Sequence, residues 1–173
     1  AGRNQIHIHT NADQAVALRL QQNNIVSQIN DALKANRFEC YVQKIRTVSN
    51  EDSNTKNTLS NYEVLVRMLD ADGSIIAPNV FLPAAERYKL MYKIDHWVIK
   101  NSIQAMATIQ EQVDWFSINL SGQTIAHQGS FDLIKKCIDD ANIPPHKICF
   151  EITETAAITN PEFGVSFLNK LQQ

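Results

Sequence analysis

Nowhere in this 173-residue chain do apolar residues run for the roughly 20 positions that a bilayer-spanning helix needs. Its start also lacks a basic segment followed by a hydrophobic one, so no export or anchoring signal is visible, although a longer parent could carry one. Basic charge is not in excess. Sixteen Lys and Arg against 18 Asp and Glu leave a net charge of -2, which gives no footprint for a nucleic-acid polymer or an anionic membrane. Any phosphate recognition must therefore be local. Cysteine is sparse as well: Cys40, Cys137 and Cys149 are odd in number, far apart and without a CxxC pair. That argues against a disulfide framework or a zinc site, and predicts buried free thiols in a reducing cytoplasm. What remains, 44% hydrophobic and 20% charged residues, is the composition of one ordinary domain or of part of a larger one.

The pattern along the chain predicts an α/β fold. Asn4 to Thr10 alternates as a short strand with nothing before it to pair with. Val16, Leu20, Ile25, Ile29 and Leu33 then carry a helical repeat to about Lys34, which suits an interdomain helix. From Phe38 onward strands alternate with helices. Strands are expected at Phe38 to Val48, around Glu63, at Trp115 to Ser121 and at Ile148 to Glu154. The polar segment Ser49 to Asn61 reads as a hairpin-like surface excursion. Helices are expected near Val80 to Tyr88, from Lys93 to Gln110, from a Ser130 cap to the stop at Pro144-Pro145, and from Pro161 onward. Alternation of this kind implies mostly parallel strands, and four units make half of an eight-unit barrel, which needs about 250 residues.

Three of the predicted strands carry an oxygen donor where a strand interior is normally apolar. These are Glu63 in Tyr62-Glu63-Val64-Leu65-Val66-Arg67-Met68, Asn119 in Trp115-Phe116-Ser117-Ile118-Asn119-Leu120-Ser121, and Glu151 in Ile148-Cys149-Phe150-Glu151-Ile152-Thr153-Glu154. Alternation puts Glu63 with Leu65 and Arg67, Asn119 with Ser117 and Ser121, and Glu151 with Cys149 and Thr153. An unpartnered buried carboxylate or amide costs several kcal/mol, so three such stripes ask for a shared explanation. A cation held among convergent oxygens supplies one.

At these strands the sequence resembles the EAL family of cyclic di-GMP phosphodiesterases and receptors. Six stretches carry the likeness in order: Phe38-Glu39-Cys40-Tyr41-Val42-Gln43, Glu63-Val64-Leu65-Val66-Arg67, Phe81 to Tyr88, Ile94-Asp95-His96-Trp97-Val98, Ser117 to Gly122, and Phe150-Glu151-Ile152-Thr153-Glu154-Thr155. Each motif is weak alone, but six in sequence are specific. The stretch from Gly2 to about Leu33 is similar to the tail of a GGDEF-type domain with its connecting helix. The resemblance implies a (β/α)8 TIM-like barrel, of which 36–173 is the N-terminal half and 1–35 the upstream tail and linker.

It also implies roles. Glu63, Asn119 and Glu151 would ligate Mg2+ or Mn2+ in a two-metal site. Arg67 would pair with a ligand phosphate, Gln43 would meet a guanine edge or sugar, and Glu154 would brace a loop over the second metal. Glu63, Glu151 and Glu154 are thus the candidate catalytic residues for hydrolysis of cyclic di-GMP to linear pGpG. The family's paired aspartates, its lysine and its later glutamate would fall beyond Gln173, so this chain alone is expected to be inactive. Val64 replaces the signature alanine and points away from the metal side, as a packing change. Lys44 stands where proline is frequent, with no functional meaning attached.

Blander readings exist for each residue. Glu63 could pair with Arg67 one strand repeat away, Asn119 could bond backbone at a strand end, and Glu151 with Glu154 could cap the Pro161 helix. His7 and His9 share a strand face without a third ligand, and His96, His127 and His146 look isolated. Trp97 and Trp115 read as packing residues. Glu63 lies early in its strand and Asn119 late, a mismatch for ligands that a barrel gathers at strand C-terminal ends. Rival functions are a non-catalytic cyclic di-GMP receptor acting through the 15–33 helix, and a self-associating module in which an open sheet edge forms a homodimer.

Overall fold

The computed structural model describes residues 24–46, 59–152 and 161–171. The strand expected at Asn4 to Thr10, with His7 and His9, lies outside them, as do most of the polar excursion and Glu154. Helix α1 (24–34) buries Ile25, Ile29 and Ala32. It stops where Asn36 adopts φ 53°, and Arg37 N donates back to Ala32 O at 2.8 Å. Arg37 then ties the chain to the sheet: its Nη1 donates to Leu69 O at 2.8 Å and its carbonyl accepts from Leu69 N at 2.8 Å.

Strands β1 (Phe38–Ile45), β2 (Ser60–Leu69) and β3 (Ile75–Ile76) follow, then helices α2 (Pro78–Arg87) and α3 (Met91–Ala107). Next come β4 (Val113–Leu120), α4 (Gly122–Ala126), α5 (Ser130–Ala141), β5 (Ile148–Ile152) and α6 (Pro161–Leu171). The sheet runs β1-β2-β4-β5, with β3 beside β2. Strands β2, β4 and β5 are parallel, joined by the helical crossovers that parallel pairing requires. β1 is antiparallel to β2, the exception in a sheet read from the sequence as mostly parallel. β3, too short to show periodicity, closes a small hairpin over the turn at Asp70 to Ser74, where Gly73 takes φ 85°.

One face of the sheet is packed by helices. Phe38, Val64, Met68, Phe116, Ile118 and Leu120 meet Phe81, Ile94, Ile99, Ile103 and Ile134 in a single core, with α1 included. Phe38 is wedged between aromatic rings, 5.8 Å from Phe81 and 5.6 Å from Trp97. Trp97 is thus a packing residue, with its Nε1 donating to Asn36 Oδ1 at 2.8 Å. Helix α5 begins at Ser130 itself, one residue earlier than a Ser130 cap would place it. Gly129, at φ 86°, occupies the cap position, while the Ser130 hydroxyl turns inward to His96. The helix ends at Asn142, with φ 50°, ahead of the two prolines.

A single extra residue in β4 sets the phase of the sheet. Ser60 pairs with Val113 but Tyr62 pairs with Phe116, so two residues of β4, Asp114 and Trp115, oppose one of β2, Asn61. Val113 and Phe116 therefore both turn to the helix side, where they are 2% and 1% exposed. From there the register runs Glu63 opposite Ser117 and Val64 opposite Ile118. Lys147 braces this bulge: its Nζ donates to Val113 O at 2.9 Å and also reaches Gln110 O. Lys147→Met keeps the apolar stem but removes charged hydrogen bonds to two carbonyls. It should cost about 1.5–3 kcal/mol of stability, read as a lower urea midpoint at unchanged m-value.

Candidate functional site

The face of the sheet opposite the helices carries the polar stripes. Register places Gln43 opposite Glu63, Glu63 opposite Ser117, and Ser117 opposite Cys149 in one row across four strands. In the adjoining pair, Asn119 faces Glu151. Residues paired in register project to the same face, so Gln43, Glu63, Asn119 and Glu151 share it. The side chains of Glu63 and Asn119 meet: Asn119 Nδ2 donates to Glu63 Oε1 at 2.9 Å. The mismatch of an early Glu63 and a late Asn119 is thereby closed, because the amide reaches back along β4 to the carboxylate on β2.

Other details correct the blander readings. Glu63 is not paired with Arg67 but accepts from Asn119. The Arg67 guanidinium instead lies 5.3 Å from the centre of the Tyr41 ring, and its Nη1 donates to Val66 O at 2.9 Å. Cys149, expected to be buried, is exposed on the polar face, and burial with the nearby Glu151 charge pushes its thiol pKa up. Cys40 is half-buried, and burial pushes its thiol up to about 11. Cys137 is half-buried too, its pKa raised by burial first and then by Asp140.

His96 and His127, which look isolated in sequence, touch: their rings are 5.2 Å apart and edge-on. His127 also stacks on Tyr92 at 4.3 Å and 13°. His96 Nε2 is 2.8 Å from Ser130 Oγ, and burial, then the His127 charge, lowers its pKa.

The donor chemistry suits a hard divalent cation. Glu63 and Glu151 bring carboxylates and Asn119 an amide, and a carboxamide can offer its oxygen as readily as its nitrogen. Beside them Ser117 Oγ is buried with no hydrogen-bond partner, on a residue 0% exposed between Glu63 and Cys149 in register. Such an orphaned hydroxyl is costly in an apolar setting and suits the wall of a site that takes a polar occupant. Among the described residues no three His, Cys, Asp or Glu side chains gather at metal-binding spacing. Two carboxylates and one amide are what this face provides.

Beyond the oxygens, the C-terminal ends of β2 and β4 open into a groove of about 960 Å³ whose walls include Arg67, Asn119, Ser121, Gln123, Tyr92 and His127. A volume of that order accommodates a small organic ligand. Glu63 and Glu151 lie outside its walls, so groove and oxygen cluster adjoin at Asn119.

The loop after Asn119 is held by a residue that motif reading had no role for. Asp95 on α3 is 5% exposed, and its Oδ2 accepts from Ser121 N at 2.8 Å and Thr124 Oγ1 at 2.6 Å. Ser121 leaves the expected strand to cap α4, accepting from Thr124 N at 3.3 Å. α4 was itself invisible in the sequence, being five residues long.

A mostly parallel α/β sheet with oxygen donors on one face and a groove at its strand ends is the architecture of a barrel-like α/β protein with a candidate ligand site. The particular family follows from comparison: the EAL domain model matches residues 26–173, and the chain belongs to the EAL family. It is 34% identical over 174 residues to the cyclic di-GMP phosphodiesterase PdeB of Shewanella oneidensis, covering 99% of this chain and 20% of that protein. It is 29% identical over 161 residues to the cyclic di-GMP phosphodiesterase PdeA of Borreliella burgdorferi, covering 92% of this chain and 23% of that protein. The FimX EAL domain of Pseudomonas aeruginosa, solved bound to c-di-GMP, superposes with a TM-score of 0.74 at 29% identity, over 86% of this chain and 57% of that one. The chain thus spans about a fifth of the length of these two relatives. The family match begins within α1. Among the described residues no helix is long and apolar enough to cross a membrane.

Burial raises the pKa of Asp95, and the hydrogen bonds from Ser121 and Thr124 only partly oppose it. A carboxyl raised in the folded state stabilises fully below its unfolded pKa of about 3.9 and loses that contribution as pH rises through the folded value. Asp95→Asn keeps the acceptor oxygen without the charge. Thermal melts should therefore show the variant gaining on the wild type as pH is raised from about 4 to 7, whereas parallel melting curves would contradict the burial of a charged group.

Proposed function

We propose that this chain carries the first part of a cyclic di-GMP phosphodiesterase site within a longer signalling protein. In this reading residues 1–35 form the tail of an upstream GGDEF-like domain with its linker, and 36–173 the N-terminal half of the EAL domain. The parent acts in the cytoplasm. The observation that carries the reading is the Asn119 to Glu63 contact of 2.9 Å with Glu151 opposite Asn119 in register. It draws oxygen donors from three strands to one place on the sheet, and the two named relatives are cyclic di-GMP phosphodiesterases.

Glu63, Asn119 and Glu151 are the residues that would hold Mg2+ or Mn2+. The chemistry such an ion supplies when bound is polarisation of a phosphoryl oxygen and acidification of a water. The chain's own contributions are electrostatic and positional. Arg67, already held over the Tyr41 ring, offers a planar fork to a phosphate. Gln43, opposite Glu63 on the same face, offers amide donors and an acceptor to a guanine edge or ribose. Glu154, which lies outside the described residues, would brace a loop beside a second ion. The groove at the strand ends takes the bulk of the dinucleotide, and the reaction breaks one of its two phosphodiester bonds to leave linear pGpG.

Three oxygen ligands without further carboxylates bind a divalent ion weakly, so this chain alone should not turn over substrate. Titration calorimetry and product chromatography with cyclic di-GMP and Mg2+ should show hydrolysis only when the chain is extended through the remainder of an EAL domain. Glu63→Ala or Glu151→Ala in that longer form should lower kcat by more than the roughly 10–100-fold cost of losing an outer support. Turnover by the 173-residue chain would overthrow the half-site reading.

A further inference from the structure

Helix α4 begins two residues after Leu120, where β4 ends, and is only five residues long. A helix of that length does not persist on its own hydrogen bonds. Three contacts from other elements hold it. Asp95 accepts from Ser121 N and Thr124 Oγ1, as above. Gln123 spans the α2–α3 junction: its Nε2 donates to Glu86 O at 2.7 Å and its Oε1 accepts from Met91 N at 3.2 Å. The latter stands in for a side-chain cap that α3 lacks at Leu90. His127, just past α4, stacks on Tyr92.

A buried carboxylate is an expensive way to steady a surface turn, since a buried hydroxyl or amide acceptor would carry less desolvation cost. What distinguishes this place is its neighbour. The amide that Asp95 binds belongs to Ser121, two residues beyond the Asn119 carboxamide that meets Glu63. We infer that Asp95, with Thr124 and Gln123, forms a latch that positions Asn119 against Glu63 by fixing the backbone immediately downstream. Asp95 is a positioning residue, not a ligand: it touches neither Glu63 nor the proposed phosphate-binding Arg67. This inference rests on the proposed metal-site reading for its purpose, but its geometry can be read without any metal.

The test uses the 173-residue chain. The Asn119 side-chain amide is followed by 15N NMR in wild type, Asp95→Leu, Asp95→Asn and Thr124→Val, with circular dichroism as the control for helix content. Mn2+ binding is followed in parallel by electron paramagnetic resonance. Asp95→Leu should move the Asn119 amide resonances and raise their solvent exchange about tenfold without loss of helix, and weaken Mn2+ by about 10–100-fold. Asp95→Asn should restore both towards wild type, because its oxygen still accepts from Ser121 N and Thr124 Oγ1. If Asp95→Leu does not fold, Thr124→Val decides, since it removes one of the two donors and should shift the same resonances less. Unchanged Asn119 resonances in a folded Asp95→Leu chain, or in Thr124→Val should that be the deciding variant, would overturn the latch. Altered resonances together with no Mn2+ uptake even by a chain extended through the remainder of an EAL domain would uphold the latch and sink the metal-site reading instead.

Discussion

The meeting of Ser117 and Asn119 with Glu63 on the open face depends on one inserted residue in β4. A strand alternates with period two, so a regular register from the Ser60–Val113 pair would set Glu63 opposite Phe116 and send Ser117 and Asn119 into the helix-packed core. The bulge shifts the count by one. Val113 and Phe116 are then both buried, and Asn119 emerges beside Glu63. Core packing and site geometry are consequently not separable here, since the residue that satisfies one creates the other. Lys147, donating to the Gln110 and Val113 carbonyls just upstream of this irregularity, anchors the strand where the bulge begins.

Around that constraint the protein spends polar groups where apolar ones would pack more cheaply. Asp95, Ser102, Ser117, Thr124 and Ser130 are all buried. Ser102 answers its own helix, donating to Val98 O at 2.6 Å, which is a local and inexpensive solution. Asp95, Thr124 and Ser130 instead join elements far apart in sequence, and all three converge on the loops that follow β4. Ser117 joins nothing among the described residues. The buried polar groups are therefore concentrated near the strand ends, while the buried residues of the α1 and β1 side are apolar, among them Ile25, Ile29, Ala32, Phe38 and Phe81.

Much of this was legible from the residues. The period of Ile94, Val98 and their neighbours marked α3, alternation around Glu63 and Asn119 marked β2 and β4, and ordered motifs marked the family. What stayed hidden was of two physical kinds. Elements of two or five residues, β3 and α4, are shorter than any period that could reveal them. Contacts between distant positions leave no local trace: His96 with His127, Trp97 with Asn36, and Lys147 with the bulge carbonyls depend on how helices cross strands. The exposure of Cys149 belongs to the second kind as well. Its flanking apolar residues suggest burial, but parity with Glu151 puts it on the polar face. Antiparallel pairing of β1 could not be read from a segment whose alternation fits either direction.

The stacking of Arg67 on Tyr41 bears on how an anion would be met. A long cationic side chain normally surrenders rotational freedom when it grips a partner, and that loss subtracts from the grip. Here the ring beneath and the backbone carbonyl beside it have already restricted the guanidinium. Tyr41 is thus a shelf that settles the entropic cost in advance, and a neighbouring strand, not the ligand, does the ordering.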